Sequence, residues 1–216
     1  MLSRLSVFFF VLLASIGWIS CGHSTHATHP AYVTVPASNH VVGFNIDNKS
    51  GSLKAMSKSP FVTGNGPASI TVHPSKKFAY VANAGDATIA LYTIGTSSEL
   101  TEVPPRVATG ANPIALTIDP SGSFLYAASA GSNSISVYSI NSSSGTLSEI
   151  TGSPFAAGTA PLFLAVDPAG TFLFVGNQSS NNISGFTINS STGALAATSP
   201  ATAGTGSAPT SMFIPK

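Results

Sequence analysis

The stretch Phe78 to Ile94, FAYVANAGDATIALYTI, constrains this chain more than any other feature, because copies of it recur three times. They read AYVTVPASNHVVGFNI from Ala31, FLYAASAGSNSISVYSI from Phe124 and FLFVGNQSSNNISGFTI from Phe172. The aromatic positions Tyr32, Tyr80, Tyr126 and Phe174 therefore stand 48, 46 and 48 residues apart. Each copy is two short β-type runs around a polar turn. A unit that recurs at a period of about 40–50 residues buries its faces by stacking on its neighbours.

Each full period holds four strands. The innermost reads ASITVHP from Ala68, IALTIDP from Ile114, LFLAVDP from Leu162 and TSMFIP from Thr210. It follows a repeated Gly-x-x-Pro entry at Gly64, Gly110, Gly158 and Gly206, and proline at a strand's first position forfeits no ladder bond. Asp119-Pro-Ser-Gly122 and Asp167-Pro-Ala-Gly170 then match a type I turn, with His73-Pro-Ser-Lys76 as a variant. In the third strand Val41, Ile89, Ile135 and Ile183 align, as do Phe44, Tyr92, Tyr138 and Phe186. Runs such as Ile89-Ala-Leu-Tyr-Thr-Ile94 are apolar on both pleat faces, as a sheet with a sheet on either side requires. A polar fourth strand around Leu53, Leu147 and Leu195 suits an outer edge.

The fold expected is thus all-β: a propeller of four blades, each a four-stranded antiparallel sheet. The chain enters at the second strand of a blade and ends on a lone first strand, Thr210 to Ile214. One blade is therefore expected to be shared by the two termini. A closed single-chain ring, a ring of two chains and an open arc all fit this phase.

Arg4 precedes an apolar run from Leu5 to Ile19, which ends at Ser20-Cys21-Gly22. A positive start, a short apolar stretch and a small-residue boundary describe an export signal. Residues 1–21 are read as that signal, 22–30 as a tether containing His23, His26 and His29, and 31–216 as the propeller domain. The lone cysteine, Cys21, resembles the lipidated cysteine of bacterial lipoproteins, although Trp18 stands where such signals usually carry leucine. Lipidation, simple cleavage and an uncleaved anchor are the readings in that order. The expected location is the cell envelope or the exterior.

Charged residues are only 7% of the chain and its net charge is +1, with no basic stripe. That composition excludes the phosphate attraction on which nucleic-acid binding depends. Membrane contact is expected only through the signal or its lipid. One end of the blades gathers the first-strand entries and the second-to-third turns, and with them Asn65, Asn83, Asp86, Asn112, Asn133, Asn177 and Gln178, joined by Asn39 and His40. Side-chain amides both donate and accept, which suits a neutral polar ligand such as a sugar. The same residue types are also ordinary turn formers. No nucleophile–base pair, carboxylate pair or metal-ligand spacing appears, so no catalytic residue, metal or cofactor is assigned. Arg106, beside Pro104-Pro105, reads as solvated surface in an outer loop, with Glu99, Glu102 and Glu149 also on or near outer strands.

The motifs YVAN with TIALYTI, VDPAGTFLFVGN and NSISVYSINSSSGTL resemble the YVTN-type repeat proteins and the related lactonase family of β-propellers, which includes propeller 6-phosphogluconolactonases. The resemblance implies a propeller and, in the lactonases, charged groups in a Gly-Pro-Arg-His entry and an Asn-Glu strand end. Here those positions are Gly66-Pro67-Ala68-Ser69 and Asn83-Ala84. The function expected is therefore an exported, envelope-anchored binding or interaction module without catalysis, its partner a small polar ligand, an envelope protein or a second copy of the chain. The alternative is a lactonase hydrolysing a sugar lactone, with a degenerate site.

Overall fold

The computed structural model of the chain describes residues 27–215. Within them the chain forms seventeen strands, one short 3-10 turn at Pro36–Ser38 and no α-helix. The first sheet contains β1 (Thr28–Val35), β2 (His40–Asp47), β3 (Leu53–Ala55) and β4 (Phe61–Val62), with β3 and β4 both pairing with β2. The second runs β5 (Pro67–Val72), β6 (Phe78–Asn83), β7 (Thr88–Ile94), β8 (Leu100–Ala108). The third is β9 (Pro113–Ile118), β10 (Phe124–Ser129) and β11 (Ser134–Ile140), with an outer strand in two pieces, β12 (Leu147–Glu149) and β13 (Phe155–Ala156). The fourth runs β14 (Pro161–Val166), β15 (Phe172–Asn177), β16 (Asn182–Ile188), β17 (Leu195–Gly204). Every neighbouring pair is antiparallel, as tight turns between successive strands require.

Local chemistry accounts for the turns. The Gly122 N–H donates to the Asp119 carbonyl (2.9 Å) and the Asp119 carboxylate accepts from the Phe124 N–H (2.7 Å), as expected of a type I turn. Asp167 repeats the arrangement with Gly170 and Phe172. His73 does more than fill the same place. Its Nε2 donates to the Gly122 carbonyl at 2.8 Å, so the variant turn of sheet two is tied to the turn of sheet three. Each outer strand carries a cis peptide bond at matching places, before Pro60, Pro105, Pro154 and Pro200. Where the ladder opens there, Ser59 and Ser153 side chains accept the N–H groups of Gly43 and Val137, both at 3.0 Å.

Sheets stack through three apolar seams. Val41, Met56 and Phe61 meet Ala79, Val81 and Tyr92 in the first; Tyr80, Ile89 and Leu91 meet Leu125, Ala127 and Tyr138 in the second; Tyr126, Ile135 and Val137 meet Leu173, Val175 and Phe186 in the third. Apolar side chains on both faces of each strand are thus explained. Buried and half-buried tyrosines add polar clips across the seams. From the second strand, Tyr32 and Tyr80 donate forward to Ser98 (2.6 Å) and Gly145 (2.7 Å) carbonyls. From the third strand, Tyr92 and Tyr138 donate backward to Val62 (2.8 Å) and Ala108 (2.9 Å). Tyr126 is equally buried but its hydroxyl has no partner, and Phe174 follows at the same place in sheet four.

Two sequence expectations need correction. Thr210 to Ile214 forms no strand and does not pair with the Ala31–Ile46 segment; Met212 instead lines a cleft together with Phe174 and Ile183 of sheet four. The blade shared between the termini is therefore not formed within the chain. In addition, β1 opens at Thr28, so His29 and Pro30, expected in the tether, pair with Ile46 and Asn45. The export signal, Cys21, His23 and His26 lie outside the described residues.

Candidate functional site: the crown of turns

The Gly-x-x-Pro entries and the second-to-third turns do meet at one end of the sheets, and close packing explains the glycines. A Cβ on Gly64 would stand 2.7 Å from the Asn83 amide, one on Gly110 2.7 Å from the Ser129 side chain, and one on Gly158 2.6 Å from the Asn177 amide. Asn83, Ser129 and Asn177 close the second strand of their sheets and are fully buried. They serve the scaffold. Asn83 Oδ1 accepts from Thr63 Oγ1 of sheet one (2.9 Å), and its Nδ2 points to Thr88 (3.3 Å). Asn177 Nδ2 donates to Asn182 and Ser184, both at 2.9 Å, while its Oδ1 is buried without a partner.

A second tier lies above. Asn39, Ala87, Asn133 and Asn181 occupy one repeated turn position with φ between 52° and 58°, the left-handed region that asparagine tolerates best after glycine. Asn39 and Asn133 use their side chains across the seams, accepting the N–H of Gly66 (2.9 Å) and of Ala160 (2.8 Å). Ala87 cannot. At the first seam the network continues: Asn39 Nδ2 donates to Asn65 Oδ1 (3.0 Å), and Asn65 donates its backbone N–H and its Nδ2 to the two oxygens of Asp86, both at 2.7 Å. Asp86 in turn faces the Arg106 guanidinium at 3.7 Å.

Arg106 is the residue that sequence reasoning misplaced. It lies in β8 rather than in a loop, with two-thirds of its side chain covered, and its Nε and Nη2 donate to Glu102 at 2.6 and 3.3 Å. The hydrogen bonds it donates to Glu102 hold its pKa above the ordinary arginine value, with the charges of Glu102 and Asp86 adding to the effect. The signal that could have found it is the alignment of Glu102 with Glu149, both opposite a third-strand tyrosine. That alignment places Arg106 further along the same outer strand, at the crown end.

The sequence-named residues thus divide. Asn65, Asp86 and Asn39 form one network; Asn83 and Asn177 are buried struts; Asn133 is a seam staple. His40 opens β2 at this end, opposite Val35 and Val62. Asn112 and Gln178 are exposed and, among the described residues, their side chains make no hydrogen bond. At the first-strand entries Ala68 and Ser69 remain, with Ala84 after Asn83, so the family's charged triplet is not remade at these places. Ser69 instead accepts the Leu116 N–H at 3.1 Å and staples neighbouring inner strands. Among the described residues no three His, Cys, Asp or Glu side chains converge as metal ligands would, and no helix is long and apolar enough to cross a membrane.

A structure from Bacteroides uniformis, provisionally called a 6-phosphogluconolactonase, superposes with a TM-score of 0.71 at 20% identity, over 79% of this chain and 52% of that one. A periplasmic gluconolactonase from Pseudomonas aeruginosa gives 0.61 at 18% identity, over 78% and 52%. A protein of unknown function from Desulfotomaculum acetoxidans gives 0.63 at 27% identity, over 76% and 52%. The chain spans about half the length of these structures, and the likeness shows a shared fold. No curated protein sequence matches. The family model for the seven-bladed lactonase β-propeller matches residues 23–159 and 115–209, which together cover nearly all the described sheets. With four of its sheets in hand, the chain belongs to the lactonase family of seven-bladed β-propellers.

Proposed function

We propose that this propeller acts on a sugar lactone, binding it at the crown and hydrolysing it, and that it does so outside the cytoplasm, held to a membrane through Cys21. The family match over almost the whole sheet region carries the first part. The export signal and its boundary cysteine in the sequence carry the second. Ring opening of a lactone adds water to the carbonyl, passes through a tetrahedral oxyanion and releases the ring oxygen as an alcohol. It therefore needs a proton acceptor and a stabiliser of negative charge. At the crown, Asp86 and His40 are groups of the first kind and Arg106 is one of the second. The free amides of Asn112 and Gln178 are suited to reading the hydroxyls of the sugar.

A second reading, binding without turnover, is favoured by one observation: both Asp86 oxygens are already engaged by Asn65, and Arg106 is clamped by Glu102. The purified full chain, assayed on sugar δ- and γ-lactones with and without a 6-phosphate, separates the two. Turnover above the spontaneous rate, with KM raised by Asn112→Ala or Gln178→Ala, is the expected result. Saturable binding with no added rate would replace hydrolysis by the second reading. Neither turnover nor binding would overturn both.

A further inference from the structure

The first two seams differ most where the outer strand nears the crown. At the first seam that place is filled by charge. Glu102 lies opposite Tyr92, and Arg106, the residue before Val107, bonds to it and faces Asp86. In the same corner Thr63 of sheet one donates to Asn83 of sheet two at 2.9 Å.

The second seam keeps the frame and alters the filling. Tyr138 donates to the Ala108 carbonyl as Tyr92 does to that of Val62, and Glu149 lies opposite Tyr138 as Glu102 does opposite Tyr92. Phe155 pairs with Ile135 as Val107 pairs with Ile89, so Pro154 stands where sheet two has Arg106. Ser129 and Ser132 stand where sheet two has Asn83 and Asp86. Each of these differences shortens a side chain. Thr109, the counterpart of Thr63, then has no amide to meet, and its hydroxyl and that of Ser129 are both buried without a hydrogen-bond partner. Buried polar groups are ordinarily paired, so two orphans in one corner point to a missing ligand.

What opens there is a cleft of about 290 Å³, close to the lower end of small-molecule sites. Its walls include Thr109, Ser132, Ser134 and Ser136, and Glu149 is the one charged residue lining it among the described residues. Ser136 stands where sheet two has Ala90, so this wall also gains a hydroxyl. Glu149 Oε1 accepts from Ser153 at 2.7 Å, while Oε2 makes no hydrogen bond among the described residues.

We propose that this cleft binds an alkylguanidinium, seated against Glu149 as the Arg106 guanidinium is seated against Glu102. The chain itself displays the fit one sheet earlier. A guanidinium's planar fork gives N–H groups to a carboxylate and keeps others for neutral acceptors. The Ser132 and Ser134 hydroxyls, 2.9 Å from each other, and the orphan Thr109 Oγ1 are such acceptors. One carboxylate among hydroxyls matches a single positive charge. The lactone reading uses none of these residues, so the two stand or fall separately.

The test titrates the purified full chain with propylguanidinium, with acetyl-arginine amide and with the uncharged propylurea, read by calorimetry and saturation-transfer NMR. Saturable binding of a guanidinium, with propylurea much weaker, is expected. Tighter binding of propylguanidinium assigns the site to a free small cation, and tighter binding of acetyl-arginine amide to an arginine of a peptide. Glu149→Gln removes a charge-assisted bond at an exposed position and should weaken binding about tenfold or more. Ser132→Asp restores the second carboxylate of the first seam and should strengthen it about threefold or more. Melting curves of both variants should match that of the parent chain. Three results would overturn the proposal: no saturable binding of either guanidinium, affinity unchanged in Glu149→Gln, or propylurea bound as tightly as propylguanidinium.

Discussion

The seams between the sheets and the crown above them are made from the same repeat, yet they have diverged in opposite directions. The three seams are near copies: a second-strand aromatic, β-branched or leucine partners and a third-strand tyrosine or phenylalanine recur at each. The crown is different at every sheet. It is charged where Asp86 meets Arg106, neutral where Asn133 meets Ala160, and unlinked between Ala87 and Asn112. A seam tolerates few changes because both faces must interdigitate at close-packed density. A crown turn must satisfy only its own backbone, so its side chains are free to differ and to meet a ligand.

The contrast can be broken by mutation. The largest effect is expected in a seam: Leu125→Ala, at a fully buried site between sheets two and three, should destabilise by about 2–5 kcal/mol in denaturant unfolding. A loss under about 1 kcal/mol would mean that the seams are looser than their packing implies. Next come the buried struts. Asn83→Ala strands Thr63 Oγ1 across a seam and should cost about 1–3 kcal/mol. Asn177→Ala breaks bonds within one sheet and removes an unpartnered oxygen, so its loss should be smaller.

The tyrosine clips sharpen the comparison between seams. Tyr80→Phe removes a bond to Gly145 and should cost about 1 kcal/mol. Tyr126→Phe removes an unpartnered hydroxyl and should be neutral or slightly stabilising. Burial raises the pKa of both, as it does for Tyr92, which is pushed up to about 12. Each contributes stability that is fully present below the unfolded tyrosine value of about 10 and is lost as pH rises from there through the folded value. Melting temperature should therefore fall across that alkaline window, starting near pH 10. The fall should be shallower in Tyr92→Phe. The smallest effect is expected at the crown: Ala87→Asn relieves an alanine at φ 52° and offers Asn112 the acceptor that Asn39 and Asn133 offer their neighbours. A gain of about 0.5–1 kcal/mol is expected, and no gain would show that the seams do not need crown staples.

Much of this could be read from the chain because it is periodic. Tyr32, Tyr80 and Tyr126 at near-constant spacing, Pro67, Pro113 and Pro161 before the inner strands, and Asp119 and Asp167 in their turns each carry local chemistry that a strand or turn cannot do without. The crown was less legible. Asn83 and Asn177 looked like ligand-facing amides because sequence shows a polar residue in a turn and not the glycine packed against it. Arg106 looked solvated because the outer strand runs past Pro104-Pro105 without changing its pattern, which hides that Asp86 of an inner turn comes alongside.

The sequence by itself determined the strands of the four sheets, their order within each sheet and the apolar faces that meet at the seams, since these follow from alternation, turn residues and repetition over short distances. Only the tertiary structure decided which crown side chains are struts and which are free, and where the tail goes. Those depend on how far successive sheets rotate about the common axis, a quantity set by the summed shape of the seams and written in no single residue.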